Sequence, residues 1–115
     1  MSKVLYNVTV SIDIDAEKDW LQWMMETHIP EVMATGFFLE NRICKVIDEH
    51  EEGGKTYAIQ YTCSSMQDLM EYQRDCAPAL QADHQNKFGG KFAAFRTILE
   101  IIQESPHVFK DISAN

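Results

Sequence analysis

His28 is the residue of this sequence with the clearest chemical potential, because an imidazole exchanges a proton near neutral pH. It lies between Asp15 and Gly36, in a stretch that also contains both tryptophans. On an ideal helix of about 3.6 residues per turn, one side carries Trp20, Leu21, Met24, Met25, His28 and Val32. This stripe predicts that His28 points into the protein. There it is either an acid or base, or a core histidine hydrogen-bonded to a tyrosine or a carbonyl group.

A pocket beside His28 would take its wall from aromatic and thioether side chains on this helix and on neighbouring strands. The predicted wall consists of Tyr6, Trp20, Met24, His28 and Tyr61. We therefore expect a compact organic ligand between helices and sheet, with His28 as the candidate catalytic residue. Two alternatives remain open: a cofactor-independent enzyme that uses His28 as acid or base, and a protein-interaction module without pocket chemistry.

A second candidate is the pair Arg96 and Glu100, which are four residues apart and therefore lie on one face of a strand. If Thr97, Leu99 and Ile101 face the helices, this pair faces a partner subunit. An ion-pair network across a dimer is one interpretation, and capture of an anion by Arg96 is the other.

The other polar residues predict neither a metal site nor a cofactor. A charged cluster is expected at a hairpin tip, where hydrated side chains favour no particular ion; it consists of Asp48, His50, Glu51 and Glu52. The sequence contains no P-loop, no nucleotide fingerprint and no nucleophile elbow. His84 falls in a predicted loop and His107 in a tail, and neither is given a role.

Hydrophobic periodicity predicts the elements that must position these residues. Alternation indicates strands at 3–13, 37–48, 55–63 and 92–102, with a glycine hairpin at 51–54. One helix is predicted from 16 to 34, with Asp13 or Asp15 as its cap and a break near 27–29 ahead of Pro30. A second begins after a capping residue at Ser65 and is interrupted by Pro78, and 83–91 is predicted to be a loop.

The order β-α-β-β-α-β predicts an α+β, ferredoxin-like fold with both helices on one face of a four-stranded antiparallel sheet. Residues 1–103 form this single domain, and 104–115 form a polar tail. The other face of the sheet is half apolar, with Leu5 on the first strand, and the last strand is apolar on both sides. Because soluble monomers seldom expose such a face, we predict a homodimer closed sheet to sheet.

Composition limits the classes of partner. The chain of 115 residues has ten basic and eighteen acidic residues, and its net charge of −8 argues against nucleic acid and membrane surfaces. No apolar run reaches the length of a membrane span and no signal peptide is recognisable, which favours the cytoplasm. The odd set Cys44, Cys63 and Cys76 contains no CxxC pair and predicts free, reduced thiols.

These residues also carry a family resemblance. The element order and the run from His28 to Val32 resemble the dimeric α+β barrel superfamily. Over residues 3–102 the chain resembles a family of short bacterial proteins described as a domain of unknown function. The positions that carry this likeness are Tyr6-Asn7-Val8-Thr9-Val10, Trp20, Trp23, His28-Ile29-Pro30, Thr35-Gly36, Tyr57, Gln60-Tyr61 and Phe95-Arg96-Thr97.

Members of this superfamily suggest two chemistries. His28, Pro30 and Glu31 are similar to the first helix of L-rhamnose mutarotase, although the tryptophan that adjoins the proline there is absent here. Cofactor-free quinone-forming monooxygenases and haem-degrading monooxygenases use an asparagine, a tryptophan and a histidine. Asn7, Trp20 and His28 match that set by type, but Asn7 is predicted to point away from the helices.

Overall fold

The computed structural model describes residues 2–47 and 53–105. Its elements are β1 (Val4–Asp13), α1 (Glu17–Trp23), a π turn (Met24–His28), α2 (Ile29–Ala34), β2 (Phe38–Lys45), β3 (Gly54–Cys63), α3 (Met66–Asp75), α4 (Ala77–Phe88) and β4 (Phe92–Glu100). The strands form one antiparallel sheet in the order β2-β3-β1-β4, which confirms the ferredoxin-like α+β fold. None of the described helices has the length and apolar character needed to cross a membrane.

The central strand β1 divides its side chains cleanly between the two faces of the sheet. Its inward positions Val4, Tyr6, Val10 and Ile12 are buried under the helices, whereas Ser11 on the other face is exposed. Pairing with β3 places Tyr6 opposite Tyr61, so aromatic side chains from both strands enter the same core. The period of two read from the sequence therefore gives the correct buried face.

The first helical stretch contains the predicted break, in the form of a π turn. Pro30 has no N–H to donate, and the preceding residue Ile29 donates to the carbonyl of Met24, five residues back. The additional residue moves the buried stripe by one position after the turn, so Ile29 is buried, whereas Met25 at the start of the turn is 52% exposed. The predicted inward position of Met25 is therefore wrong.

Helix ends differ in how well the sequence predicted them. Ser65 caps α3, because its hydroxyl accepts a hydrogen bond from the backbone N–H of Asp68 at 3.1 Å, as predicted. The prediction that Asp13 or Asp15 caps α1 is wrong, since Ala16 occupies the cap position without a side-chain hydrogen bond.

The prediction of a loop at 83–91 is also wrong, because α4 continues to Phe88 and only a short turn follows. Pro78 stands in the first turn of α4, where its missing N–H costs nothing, and so it helps to start this helix after a break at Cys76. Gly90 has φ of +83°, a conformation that glycine adopts without steric cost, and it returns the chain towards β4.

The orientation predicted for β4 is wrong. In the register with β1, Arg96 pairs with Val8 and Glu100 with Val4, so both charged residues are on the helix side. Leu99 and Phe95 face outward and are 45% and 63% exposed. β4 has apolar residues on both faces, so its own pattern does not reveal which face is buried.

Two groups of sequence predictions lie outside the described residues. The charged cluster from Asp48 to Glu52 and the first half of the 51–54 hairpin belong to one group. The other is the part of the polar tail beyond residue 105, with His107.

Candidate functional site

Trp20 and His84 form a buried hydrogen-bonded pair at the centre of the helical layer. The indole N–H of Trp20 donates to Nε2 of His84 at 2.9 Å, and the two residues are 0% and 6% exposed. Because an indole nitrogen can only donate, Nε2 of His84 must be unprotonated. The neutral His84 ring therefore carries its proton on Nδ1.

His84 connects several aromatic side chains to His28. Its ring stacks on Phe92 of β4 at a centroid distance of 3.9 Å and lies 5.6 Å from the ring of His28. Trp23, which is half-buried, stacks against both histidines, at 4.8 Å from His28 and 5.8 Å from His84. The sequence predicted no role for His84, and the structure places it between the first helical stretch and the sheet.

Burial keeps both imidazoles neutral at physiological pH. Burial, together with the nearby His28 and Arg96, lowers the pKa of His84 to about 4. Burial also lowers the pKa of His28, and Arg96 adds to this effect while Asp83 opposes it. At neutral pH His28 is therefore a proton acceptor rather than an imidazolium acid.

Four of the five residues predicted as a pocket wall surround a small cavity between helices and sheet. They are Tyr6, Met24, His28 and Tyr61, and the remaining wall residues are Val8, Val10, Val32, Ile59, Tyr72, Leu80, Gln81 and His84. Trp20 is not part of this wall; instead its indole N–H donates a hydrogen bond to His84, which is part of the wall. Gln81 is exposed as well as part of the wall, so the cavity reaches the surface beside α4.

The cavity has a volume of about 30 Å³, which is enough for a water molecule or two. Pockets for organic ligands are typically about 300–1,000 Å³. The structure therefore shows a site without room for an organic ligand, and binding one would require the helices or the wall side chains to move.

His28 contributes an unusual polar atom to this site. Its Nδ1 is buried and has no hydrogen-bond partner within the described part of the chain. A buried polar atom without a partner costs about 1–3 kcal/mol, so such atoms are rare in the cores of native proteins.

Two phenols in the cavity wall remain protonated and can donate hydrogen bonds. Burial raises the pKa of Tyr61 and of Tyr72 well above the ordinary value, and nearby phenols add to the effect. The ring of Tyr6 lies 6.2 Å from that of Tyr61 and 6.1 Å from that of Tyr72. Tyr61 and Tyr72 therefore remain protonated and keep O–H groups to donate.

The asparagine, tryptophan and histidine that match the monooxygenase set do not come together. Asn7 faces away from the helices, as predicted, and its amide donates to the hydroxyl of Thr9 at 3.0 Å. The sheet separates Asn7 from His28 and Trp20. This chain therefore does not assemble that catalytic arrangement within one subunit.

Solved structures with the same fold have low sequence identity to this chain. An EthD-like protein from Ralstonia eutropha has a TM-score of 0.67 at 13% identity, covering 91% of this chain and 96% of that one. A Bacillus cereus protein, provisionally an antibiotic biosynthesis monooxygenase, has a TM-score of 0.66 at 6% identity, with 93% and 100% covered. A dimeric ferredoxin-like protein from an uncultured marine organism has a TM-score of 0.65 at 15% identity, with 90% and 99% covered. Likeness at this level shows the fold alone.

The family of this chain is identified from its sequence, although comparison with curated proteins gives no match. Residues 3–102 match the family described as Domain of unknown function (DUF4286), which is most of the chain. The chain, whose fold is ferredoxin-like, therefore belongs to this family of unknown function.

Proposed function

We propose that this protein binds a compact organic molecule between its helices and its sheet, beside His28. The proposal rests on one observation: Nδ1 of His28 is buried in the cavity wall and has no hydrogen-bond partner among the described residues. A ligand with a complementary polar atom would satisfy this nitrogen and recover the free energy that its burial costs. Tyr61 and Tyr72 add O–H donors on the same wall.

The first helical stretch, which would have to move to admit a ligand, contains an irregular turn and an adaptable side chain. The π turn from Met24 to His28 replaces regular α-helical hydrogen bonds, and π turns are frequent at functional sites. Met24 has an unbranched, adaptable side chain, so the wall can change shape without losing all of its packing. These features support opening on the side of the first helical stretch.

A second candidate is catalysis without a cofactor, as in a mutarotase, an isomerase or a monooxygenase. The neutral state of His28 favours it, because a base must be unprotonated at the working pH. In this reading His28 takes a proton from the bound molecule and the phenol of Tyr61 stabilises the charge that develops on an oxygen atom. Turnover of a ligand found by binding would distinguish this candidate from simple binding.

The assembly that we propose is a homodimer in which two outer sheet faces cover each other. Leu99 and Phe95 on β4 leave apolar area on that face, and two structures of the same fold are described as dimeric. Light scattering at high micromolar concentration should give twice the mass of the chain. A cytoplasmic location belongs to the same proposal and is supported by three unpaired thiols.

A thermal-shift screen with a metabolite collection tests the proposed binding, because a ligand of the native state raises Tm by mass action. We expect at least one compact compound at millimolar concentration to raise Tm, and His28→Ala to abolish the response. Glu26→Gln is the matched control, since Glu26 is exposed on the same π turn and is not part of the wall. Absence of any response in the wild type would overturn the proposal and favour a protein-interaction module.

A further inference from the structure

The position of Arg96 narrows the kind of molecule that the site can take. The register pairs Arg96 with Val8, a residue of the cavity wall, and both side chains leave the sheet on the helix side. Phe92, four residues earlier on the same face of β4, stacks on His84 at 3.9 Å. This face of β4 therefore contacts His84 through Phe92, and Arg96 is exposed on the same face, beside Val8 of the cavity wall.

The positive charge of Arg96 acts on side chains of the cavity wall. It lowers the pKa of three wall residues, which are His28, His84 and Tyr72. Within residues 2–47 and 53–105, Arg96 takes part in no ion pair. An arginine side chain stays charged at any ordinary pH, so Arg96 adds a positive charge beside the cavity wall, and Asp83 opposes its effect on the pKa of His28.

We infer that the molecule bound beside His28 carries a carboxylate, which pairs with the guanidinium of Arg96. This inference rests on the binding function proposed above and adds the chemical class of the ligand. The planar guanidinium presents two parallel N–H groups that match the two oxygens of a carboxylate.

The neighbouring polar groups fit the same class. An ionised carboxylate only accepts hydrogen bonds, and the nearby wall residues Tyr61, Tyr72 and Gln81 all have donors. The rest of the wall is mainly apolar, with Val8, Val10 and Ile59 on the sheet, and would contact an apolar body.

The test uses pairs of probes that have nearly the same shape, one with a carboxylate and one with a neutral amide: benzoate with benzamide, phenylacetate with phenylacetamide, and isobutyrate with isobutyramide. Binding is followed by thermal shift and by NMR titration of the His28 ring, on the wild type, Arg96→Gln and Arg96→Lys. Arg74→Gln is the control, because Arg74 is exposed on α3 and belongs neither to the cavity wall nor to the sheet.

We expect at least one acid to bind better than its amide, and Arg96→Gln to weaken that acid by about tenfold or more, the loss typical of a charged hydrogen bond. Arg96→Lys should recover part of the affinity, and Arg74→Gln should leave the affinity unchanged. If amides bind as well as acids, or if Arg96→Gln leaves the affinity unchanged, the carboxylate inference is wrong while ligand binding beside His28 stands. If no acid, no amide and no compound of the metabolite collection binds, both the inference and the proposed function are wrong.

Discussion

Acidification should destabilise this protein through His84, the buried histidine that must remain neutral to accept a hydrogen bond from Trp20. Folding lowers the pKa of His84 from its ordinary value of 6.5 to about 4. Between these values the unfolded chain binds a proton more readily than the folded chain, so the stability present above pH 6.5 is lost as the pH falls. The linkage relation gives a loss of about 2 kcal/mol at pH 5 and about 3 kcal/mol at pH 4.

The assay is urea denaturation between pH 4.5 and 8 for the wild type and His84→Gln. The glutamine carbonyl can still accept from the indole N–H of Trp20, but it does not titrate. Carboxylates contribute to the pH dependence of both proteins, so the difference between their two profiles isolates His84. We expect the difference in the free energy of unfolding to change by about 2 kcal/mol between pH 7 and pH 5.

Two results would refute this reasoning. One is a pair of parallel stability profiles for the wild type and His84→Gln. The other is an NMR titration in which the His84 ring protonates near pH 6.5 while the fold is intact. Either would mean that His84 can hold its proton without losing the contact with Trp20.

Three further predictions concern other contacts. Trp20→Phe should cost about 1–3 kcal/mol of unfolding free energy beyond the change in packing, because His84 loses its buried donor, and NMR should show the pKa of His84 rising. Ser65→Ala should lower the urea midpoint by the equivalent of about 1 kcal/mol through loss of a helix cap, whereas Ser64→Ala should have little effect. Phe95→Asp should place a charge in the proposed dimer interface and give monomers in light scattering; a dimer that persists would exclude this face as the interface.

The fold was predictable where a pattern has one interpretation. β1 alternates strictly, so its inward residues could be named from the sequence, and Ser65 has the side chain and spacing of a helix cap. β4 lacks such a signal because Ile98 and Leu99 are adjacent and similarly apolar. Its orientation depends on pairing with β1, which is a long-range contact that local periodicity does not contain.

The candidate site was only half predictable for a related reason. His28 stood out because it shares a helix with two tryptophans, but His84 lies in a polar run that resembles a loop. The available signal was the helical spacing of Ala77, His84 and Phe88, which are the buried residues of α4. The polar residues between them masked this spacing, and so the partner of Trp20 was missed.

The π turn has a consequence for how this chain aligns with its relatives. Since the turn holds one residue more than an α-helical turn, a related chain with a regular helix here should be one residue shorter between α1 and α2. The inward positions Trp20 and Val32 would keep their places in such a chain. Alignments should therefore open a single-residue gap near Met24 to His28, and chains that lack the gap should share the bulged backbone.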